Sequence, residues 1–475
     1  MKLETLTLQN FRCFESVEVD LHPSVTVLVA ENGQGKSALL DAVRVALWPY
    51  VSSYDLARSA LNDPGNGIAI DDVRLMKLDS GDMARQLPSR VQMKGDFGTG
   101  PGETWIRYRD SEAKGTKTKD ESGTAELKHY ASTLQRLIRS PSDAPASLPV
   151  FGYYGTGRLW SQKRLMETHY GKKDTAETDF YVRTFAYVNC LDPASSYKHF
   201  KEWFIWAFES LREEQIKQLE RPGSAVDLHI ARQRIQVVQQ AIDCFLKPST
   251  GWNTLEYSVS QQKSLILHHA QHGTLDVDML SDGIRSILAM VGDIAYRCIK
   301  LNPHLGLDAA LKTVGVVMID EVDMHLHPTW QQRVIGQLTS AFPQIQFIVT
   351  THSPQVISTV PAASIRVLSS EQDALSGQTR TVIRLVTQQT QGVASSDVMA
   401  DVMGTDPVPD IAAAHQLSEY KALIEQGLKD TPEANELLHR LTEHFGTRHP
   451  ELLDCQRLIR LQILKDKRPS KTSGA

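Results

Sequence analysis

At 475 residues the chain is long enough to bury a large core and to hold two or three domains. Its 51 basic and 56 acidic side chains leave a net charge of −5, which excludes the overall basic excess of a chain coated in nucleic acid and leaves room only for a local basic patch. The cysteines Cys13, Cys190, Cys244, Cys298 and Cys455 form no CxxC motif, and the start carries no apolar leader, so a reducing, cytoplasmic compartment is expected; no apolar run is long enough to cross a membrane.

The opening "LETLTLQNFRCFESVEVDLHPSVTVLVAENG" alternates in β fashion and breaks at Pro23. It predicts two or three strands, the last apolar enough for the centre of a sheet. In "KSALLDAVRVALWPY" the residues Leu39, Leu40, Val43, Ala46 and Leu47 recur at helical spacing, and Pro49 is expected to end that helix. Next, "RVQMKGDFGTGPGETWIRYRD" reads as a hairpin on a glycine turn, and "SEAKGTKTKDESGT" as a mobile low-complexity loop. "LPVFGYYGTGRLW" returns to a buried strand. Between about 195 and 246, two helical stretches flank "RPGS" and predict a helical hairpin, too short for a long coiled-coil arm. "MLSDGIRSILAMVGDIAYR" predicts an amphipathic helix, and "QFIVT" a strand. From about 410 the chain reads as three helices and a basic tail of Lys465, Lys467, Arg468 and Lys471. Those helices are too few for a large core, so the stripe Tyr420, Leu423, Ile424 and Leu428 is expected to pack on the larger domain or on a partner.

Chemistry concentrates in four places. "AENGQGKSALL" has a strand leading in and a helix leading out, the arrangement that lets backbone N–H groups and a helix dipole hold phosphate. Asn32, Gly33, Gln34, Gly35 and Ala38 form the cradle, Lys36 reaches the β- and γ-phosphates, and Ser37 ligates Mg²⁺. Ala30 replaces the usual first glycine, which is tolerable if its φ is negative. In "VVMIDEVDMHLHP" two carboxylates follow a buried strand, a costly placement unless a cation compensates them. With ATP and Mg²⁺ present, Asp320 grips the metal or its water shell and Glu321 orients water on the γ-phosphate. In "FIVTTHSP", His352 ends a strand within reach of a γ-phosphate, or is a satisfied histidine at a turn; Ser353 caps a helix that Pro354 begins. Ser281 and Gly283 in "LSDG" start a helix, which suits an anion. His325 and His327 form an HxH pair, but zinc lacks further ligands of suitable spacing.

These motifs, in this order, resemble the ABC-type ATPase heads of the RecF and SMC class. The implied fold is α/β: a P-loop head with a mixed β-sheet, a helical-hairpin insertion and a C-terminal helical segment. The head takes residues 1–390, its insertion about 157–250, and the interaction segment 391–475. The resemblance further implies that Ser281 and Gly283 of one subunit cap the γ-phosphate held by Lys36 of another, giving a homodimer or higher oligomer with shared ATP sites. Across most of the chain, "PVFGYYGTGRLW", "CLDPASSYKHFKEWF", "LSDGIRSILAMVGDIAYR" and "HPELLDCQRLIRLQ" resemble the PtuA ATPases of Septu and retron-associated anti-phage systems. That family works with a separate HNH nuclease, PtuB. Nucleic acid, as phage DNA, retron msDNA or tRNA, is a further candidate partner. Arg12 and Arg158 fall in matching segments as candidates to approach phosphate, against a surface or structural role. The OLD nucleases fuse such a head to a metal-binding TOPRIM domain that needs a DxD pair, and the tail after 390 has none, so no nuclease activity is expected of this chain. The alternatives are a RecF-like DNA-repair ATPase and an ATP-bound scaffold with little turnover.

Overall fold

The computed structural model describes the whole chain except residues 61–62, 99, 141–144, 159–179, 195, 221–225, 262, 373–378 and 467–475. It divides into two compact units, Met1–Val398 and Met399–Ala475.

The first unit begins with the three strands expected of the opening sequence, β1 (Lys2–Phe11), β2 (Phe14–Asp20) and β3 (Val25–Val29). Every residue of β3 is buried, as its unbroken apolar run requires. A small hairpin, β4 (Leu75–Lys77) with β5 (Met83–Arg85), precedes the predicted glycine-turn hairpin, β6 (Ser89–Asp96) with β7 (Glu103–Arg109). With β8 (Lys119–Asp120) they build an antiparallel sheet in the order β2-β1-β6-β7-β8. Three antiparallel strands, β10 (Asn253–Ser258), β11 (Ser264–His269) and β12 (Gly273–Asp276), form a separate sheet. The central sheet joins β9 (Val150–Tyr154), β13 (Gly315–Ile319), β14 (Ile345–Thr351), β15 (Ile365–Gln372) and β16 (Thr379–Leu385) to β3, in the order β16-β15-β3-β14-β13-β9. All neighbours there are parallel except β15 and β16, so the sheet is mixed. Gln346 ties the antiparallel and central sheets together. Fully buried, its amide accepts from the Leu3 N–H at 2.8 Å and donates to the Leu3 carbonyl at 2.8 Å and the His22 carbonyl at 3.0 Å.

Helix α1 (Lys36–Val51) runs past the expected stop at Pro49. Proline removes the N–H that the Val45 carbonyl would receive, and the helix tolerates this because the Arg107 guanidinium donates to that carbonyl at 2.8 Å. The adjacent Ala46 carbonyl accepts from the Trp105 indole at 2.9 Å. The segment expected to be a mobile loop is also pinned. Arg109 donates to the Thr116 carbonyl at 2.7 Å, the Thr118 hydroxyl accepts from the Ile68 N–H at 2.7 Å, and helix α2 (Ser122–Leu137) starts inside it. Two long helices, α3 (Ser196–Glu220) and α4 (Val226–Thr250), form the predicted hairpin, although its "RPGS" turn lies outside the described residues. Both pack on α5 (Asp282–Leu301), where a Cβ at Gly292 would stand 2.5 Å from the Phe200 ring. A buried pair, Asp293 with Arg297 at 2.7 Å, lies on α5, and Asp293 also accepts from the Tyr154 hydroxyl at 2.8 Å. Helix α6 (Pro328–Ala341) fills the crossover between β13 and β14.

The second unit holds α7 (Ala412–Glu425), α8 (Pro432–Phe445) and α9 (Pro450–Asp466). The expectation that these helices need an outside surface is corrected. Tyr420 and Ile424 bury against Ala434, Leu437, Leu441, Leu452 and Cys455, Leu423 packs beside them, and Leu428 is 44% exposed. Three short helices suffice because each supplies one apolar face to a shared small core. Of the basic tail, Lys467, Arg468 and Lys471 lie outside the described residues.

Candidate functional site

Parallel pairing brings three motifs to one edge. The register sets Val29 beside Thr351 and Val349 beside Ile319, so β3, β14 and β13 end together. The phosphate-loop sequence, the acid pair and His352 therefore emerge side by side at the carboxyl ends of the strands, where open α/β sheets take ligands.

The loop after β3 turns on Gly33 (φ 83°) and Gly35 (φ 96°), whereas Ala30 is not left-handed, the condition its methyl group needs. Gly35 is doubly constrained: a Cβ there would lie 2.6 Å from the Cys13 sulfur and 2.7 Å from the Phe14 ring. As N-cap of α1 it offers no capping side chain, and the first turn holds no acid, so the helix start is suited to an anion. Lys36 is 7% exposed, and its ammonium donates to the carbonyls of Ala30 at 2.8 Å and Glu31 at 3.0 Å. Burial lowers its pKa, opposed by the carboxylates of Asp320, Glu321 and Asp323.

Asp320 meets the loop directly. Its carboxylate accepts from the Ser37 hydroxyl at 2.9 Å and from the Thr350 hydroxyl at 2.6 Å, and its N–H donates to the Tyr154 carbonyl at 2.8 Å. Glu321 is left-handed (φ 49°) and half-buried, a strained conformation held by the donation of its N–H to the Thr350 oxygen at 2.7 Å. Asp323 accepts from the Thr351 hydroxyl at 2.5 Å. Half-buried His352 follows, and Ser353 caps the next short helix as expected, accepting from the Val356 N–H at 3.2 Å.

The remaining candidates stand differently. Ser281 is the N-cap of α5, with its hydroxyl not engaged in capping. Gly283 faces its own chain: a Cβ there would lie 2.6 Å from the carbonyl oxygen of His325. Glycine at 283 is thus already required by the backbone after the acid strand. His327 caps α6, its ring accepting from the Thr329 N–H at 3.3 Å, which accounts for it without a metal. Arg12 spends its guanidinium on Asp72 at 2.8 Å and Asp41 at 2.6 Å, and Asp41 also accepts from the Tyr153 hydroxyl at 3.0 Å. This network clamps the turn after β1 to α1 through Asp41. The Arg158 side chain lies outside the described residues. Sequence reasoning missed Thr350 and Tyr154; the signal for the first was a pair of threonines at the end of an apolar strand.

The site presents a lysine, a hydroxyl and a carboxylate around an uncapped helix start. That donor set fits a polyphosphate chelating a hard divalent cation. Comparison with known proteins adds relatives. A family model described as an AAA domain matches residues 5–242, and a second AAA-domain model matches 176–358. The chain is 24% identical to a "Retron Vc95 probable ATPase" from Vibrio cholerae, covering 94% of this chain and 88% of that protein. It is 26% identical to a "Retron Ec83 probable ATPase" from Escherichia coli, covering 98% and 88%. Similarity to a "Septu protein PtuA" from Bacillus thuringiensis is 25% over 48% of this chain and 53% of that protein.

Proposed function

The chain belongs to the AAA-domain family, and from that membership we propose that it binds and hydrolyses ATP as the nucleotide-driven subunit of a retron- or Septu-type defence complex. Its α/β architecture is that of an ABC-type ATPase head. The observation that carries the reading is the 2.9 Å contact between Ser37 and Asp320, which joins the phosphate loop to the acid strand at one sheet edge.

Each residue then has a task. The N–H groups at the start of α1 and the loop around Gly33 and Gly35 bind phosphate. Lys36 turns from the Ala30 and Glu31 carbonyls to the β- and γ-phosphates, a short swing for a flexible stem. Ser37 and Asp320 would hold Mg²⁺, which would supply charge neutralisation to the phosphates. Glu321 orients the attacking water, with Thr350 fixing its backbone, and His352 contacts the γ-phosphate from the next strand. Ser281 of a second copy completes the site, so nucleotide joins the subunits head to tail. The chain leaves cutting to an HNH nuclease supplied in trans, with nucleic acid as the trigger or target. Residues 391–475 form the interaction segment.

Two variants test this. Lys36→Ala is expected to lose ATP binding in calorimetry; unchanged affinity overturns the phosphate-loop assignment. Glu321→Gln is expected to bind ATP, turn over slowly and accumulate dimers. Turnover at the wild-type rate removes Glu321 from catalysis.

A further inference from the structure

The segment assigned to the partner-held phosphate contains an acid. Asp282 sits between Ser281 and Gly283 as the first residue of α5, with its side chain 56% exposed. An acid there favours the helix start through the dipole, yet a bare carboxylate repels an approaching γ-phosphate. The same chain supplies a remedy one turn along. The Arg285 guanidinium pairs with the Asp282 carboxylate, and its other terminal nitrogen comes within 3.5 Å of the Asp278 carbonyl. Arg285 is no ordinary surface partner: its side chain is 17% exposed, and its buried Nε has no hydrogen-bond partner among the described residues. An exposed ion pair keeps its spare donors in water; here hydration at Nε is given up to lay the guanidinium across the turn from 278 to 282.

We infer that Arg285 is a positioning residue that cancels the charge of Asp282, so that the start of α5 can meet a nucleotide phosphate held by a second copy of this chain. The inference rests on the shared nucleotide site proposed above. It explains how an acid is accommodated at a place where a phosphate must dock, and it assigns the cost of losing Arg285 to charge rather than to packing.

The test is ATP-dependent self-association of the full chain in the Glu321→Gln background, followed by analytical ultracentrifugation across ATP concentrations. Adding Arg285→Ala is expected to raise the ATP needed for half-maximal association about tenfold, and less at high salt. ATP affinity of the unassociated chain and the melting temperature serve as controls and are expected to hold. Adding Asp282→Asn to Arg285→Ala is expected to restore association to within about twofold, since the charge needing cancellation is gone. An Arg285→Ala protein that associates like its parent overturns the inference. So does a double variant that stays as weak as Arg285→Ala alone. A Glu321→Gln parent that binds ATP but never associates overturns the shared site itself, and is told apart because it fails before Arg285 is touched.

Discussion

Thr350 donates its hydroxyl to the Asp320 carboxylate at 2.6 Å, across two neighbouring strands of the central sheet. The same oxygen accepts from the Glu321 N–H at 2.7 Å. One fully buried threonine thus orients the carboxylate proposed for the metal and pins the strained backbone of the residue proposed to orient water. Tyr154 supports the same point from the other side, receiving the Asp320 N–H on its carbonyl while its hydroxyl binds Asp293 on α5. The acid strand and the helix that begins at Asp282 therefore share a residue.

Replacing Thr350 by valine keeps the shape and removes the hydroxyl. The Glu321 N–H loses its acceptor and Asp320 loses a donor, at a cost of about 1–3 kcal/mol. Turnover is expected to fall roughly ten- to hundredfold, because catalytic geometry is sensitive to small misplacement. Thr350→Ser is expected to recover most of it. Steady-state ATPase assays with melting curves decide; a valine protein turning over normally means the hydroxyl positions nothing that matters.

Gly35 and Gly33 separate two kinds of constraint. Both are left-handed, but only Gly35 has neighbours that a methyl group would strike, whereas nothing lies within 4 Å of a Cβ at Gly33. Gly33→Ala is expected to cost about 1–2 kcal/mol from backbone strain and to retain weakened nucleotide binding. Gly35→Ala is expected to abolish binding, because the helix start must shift. Equal losses in calorimetric titrations would show that the contacts with Cys13 and Phe14 yield without cost.

Local signals made the head legible. The glycine turn between β3 and α1, the strands ending at Val29, Ile319 and Thr351, and the helix capped by Ser353 follow from apolar runs, glycine placement and caps, all of which act over a few residues. What stayed hidden depends on distant partners. Pro49 is tolerated inside α1 because of Arg107, 62 residues beyond the carbonyl it serves. The loop around Thr116 is ordered by Arg109 and Ile68. Gly283 reads as part of a phosphate motif, yet its nearest constraint is the His325 carbonyl. Sequence spacing carries no information on such contacts until the strands are in register.

Lys300 gives a pH dependence with a definite sign. Near the end of α5 its ammonium lies 5.9 Å from the Trp206 ring centre, which also faces Arg234. Burial, with Arg234 adding to it, pushes Lys300 down to about 7 from an ordinary value of 10.5. Between those values the unfolded chain binds the extra proton, so stability rises with pH across that window. Below about pH 7 the folded state carries the full cost of a buried charge. Lys300→Met removes that cost and is expected to stabilise by ~1–3 kcal/mol near pH 6, with the gain shrinking towards pH 10. Denaturant unfolding of both proteins at several pH values checks it; a pH-independent difference contradicts the titration.

The second unit provides the test of the partner. Its apolar stripe is used in its own core, so the nuclease subunit proposed above would have only outward residues to dock on, and α9 offers Leu453, Leu461 and Leu464 at 49%, 48% and 62% exposure. Since Met1–Val398 is compact by itself, a chain ending at Val398 is expected to fold and hydrolyse ATP while losing capture of the HNH nuclease. Leu453→Lys with Leu464→Lys is expected to lose capture with the second unit still folded, because neither side chain belongs to its core. Leu441→Ala, at a fully buried position, is expected instead to cost about 2–5 kcal/mol and to unfold the unit. Retained capture by the truncated chain at full affinity removes the second unit from docking. Failure of the truncated chain to fold would show that the head depends on residues 399–475 for stability, and the lysine pair alone would then decide whether α9 carries the contact.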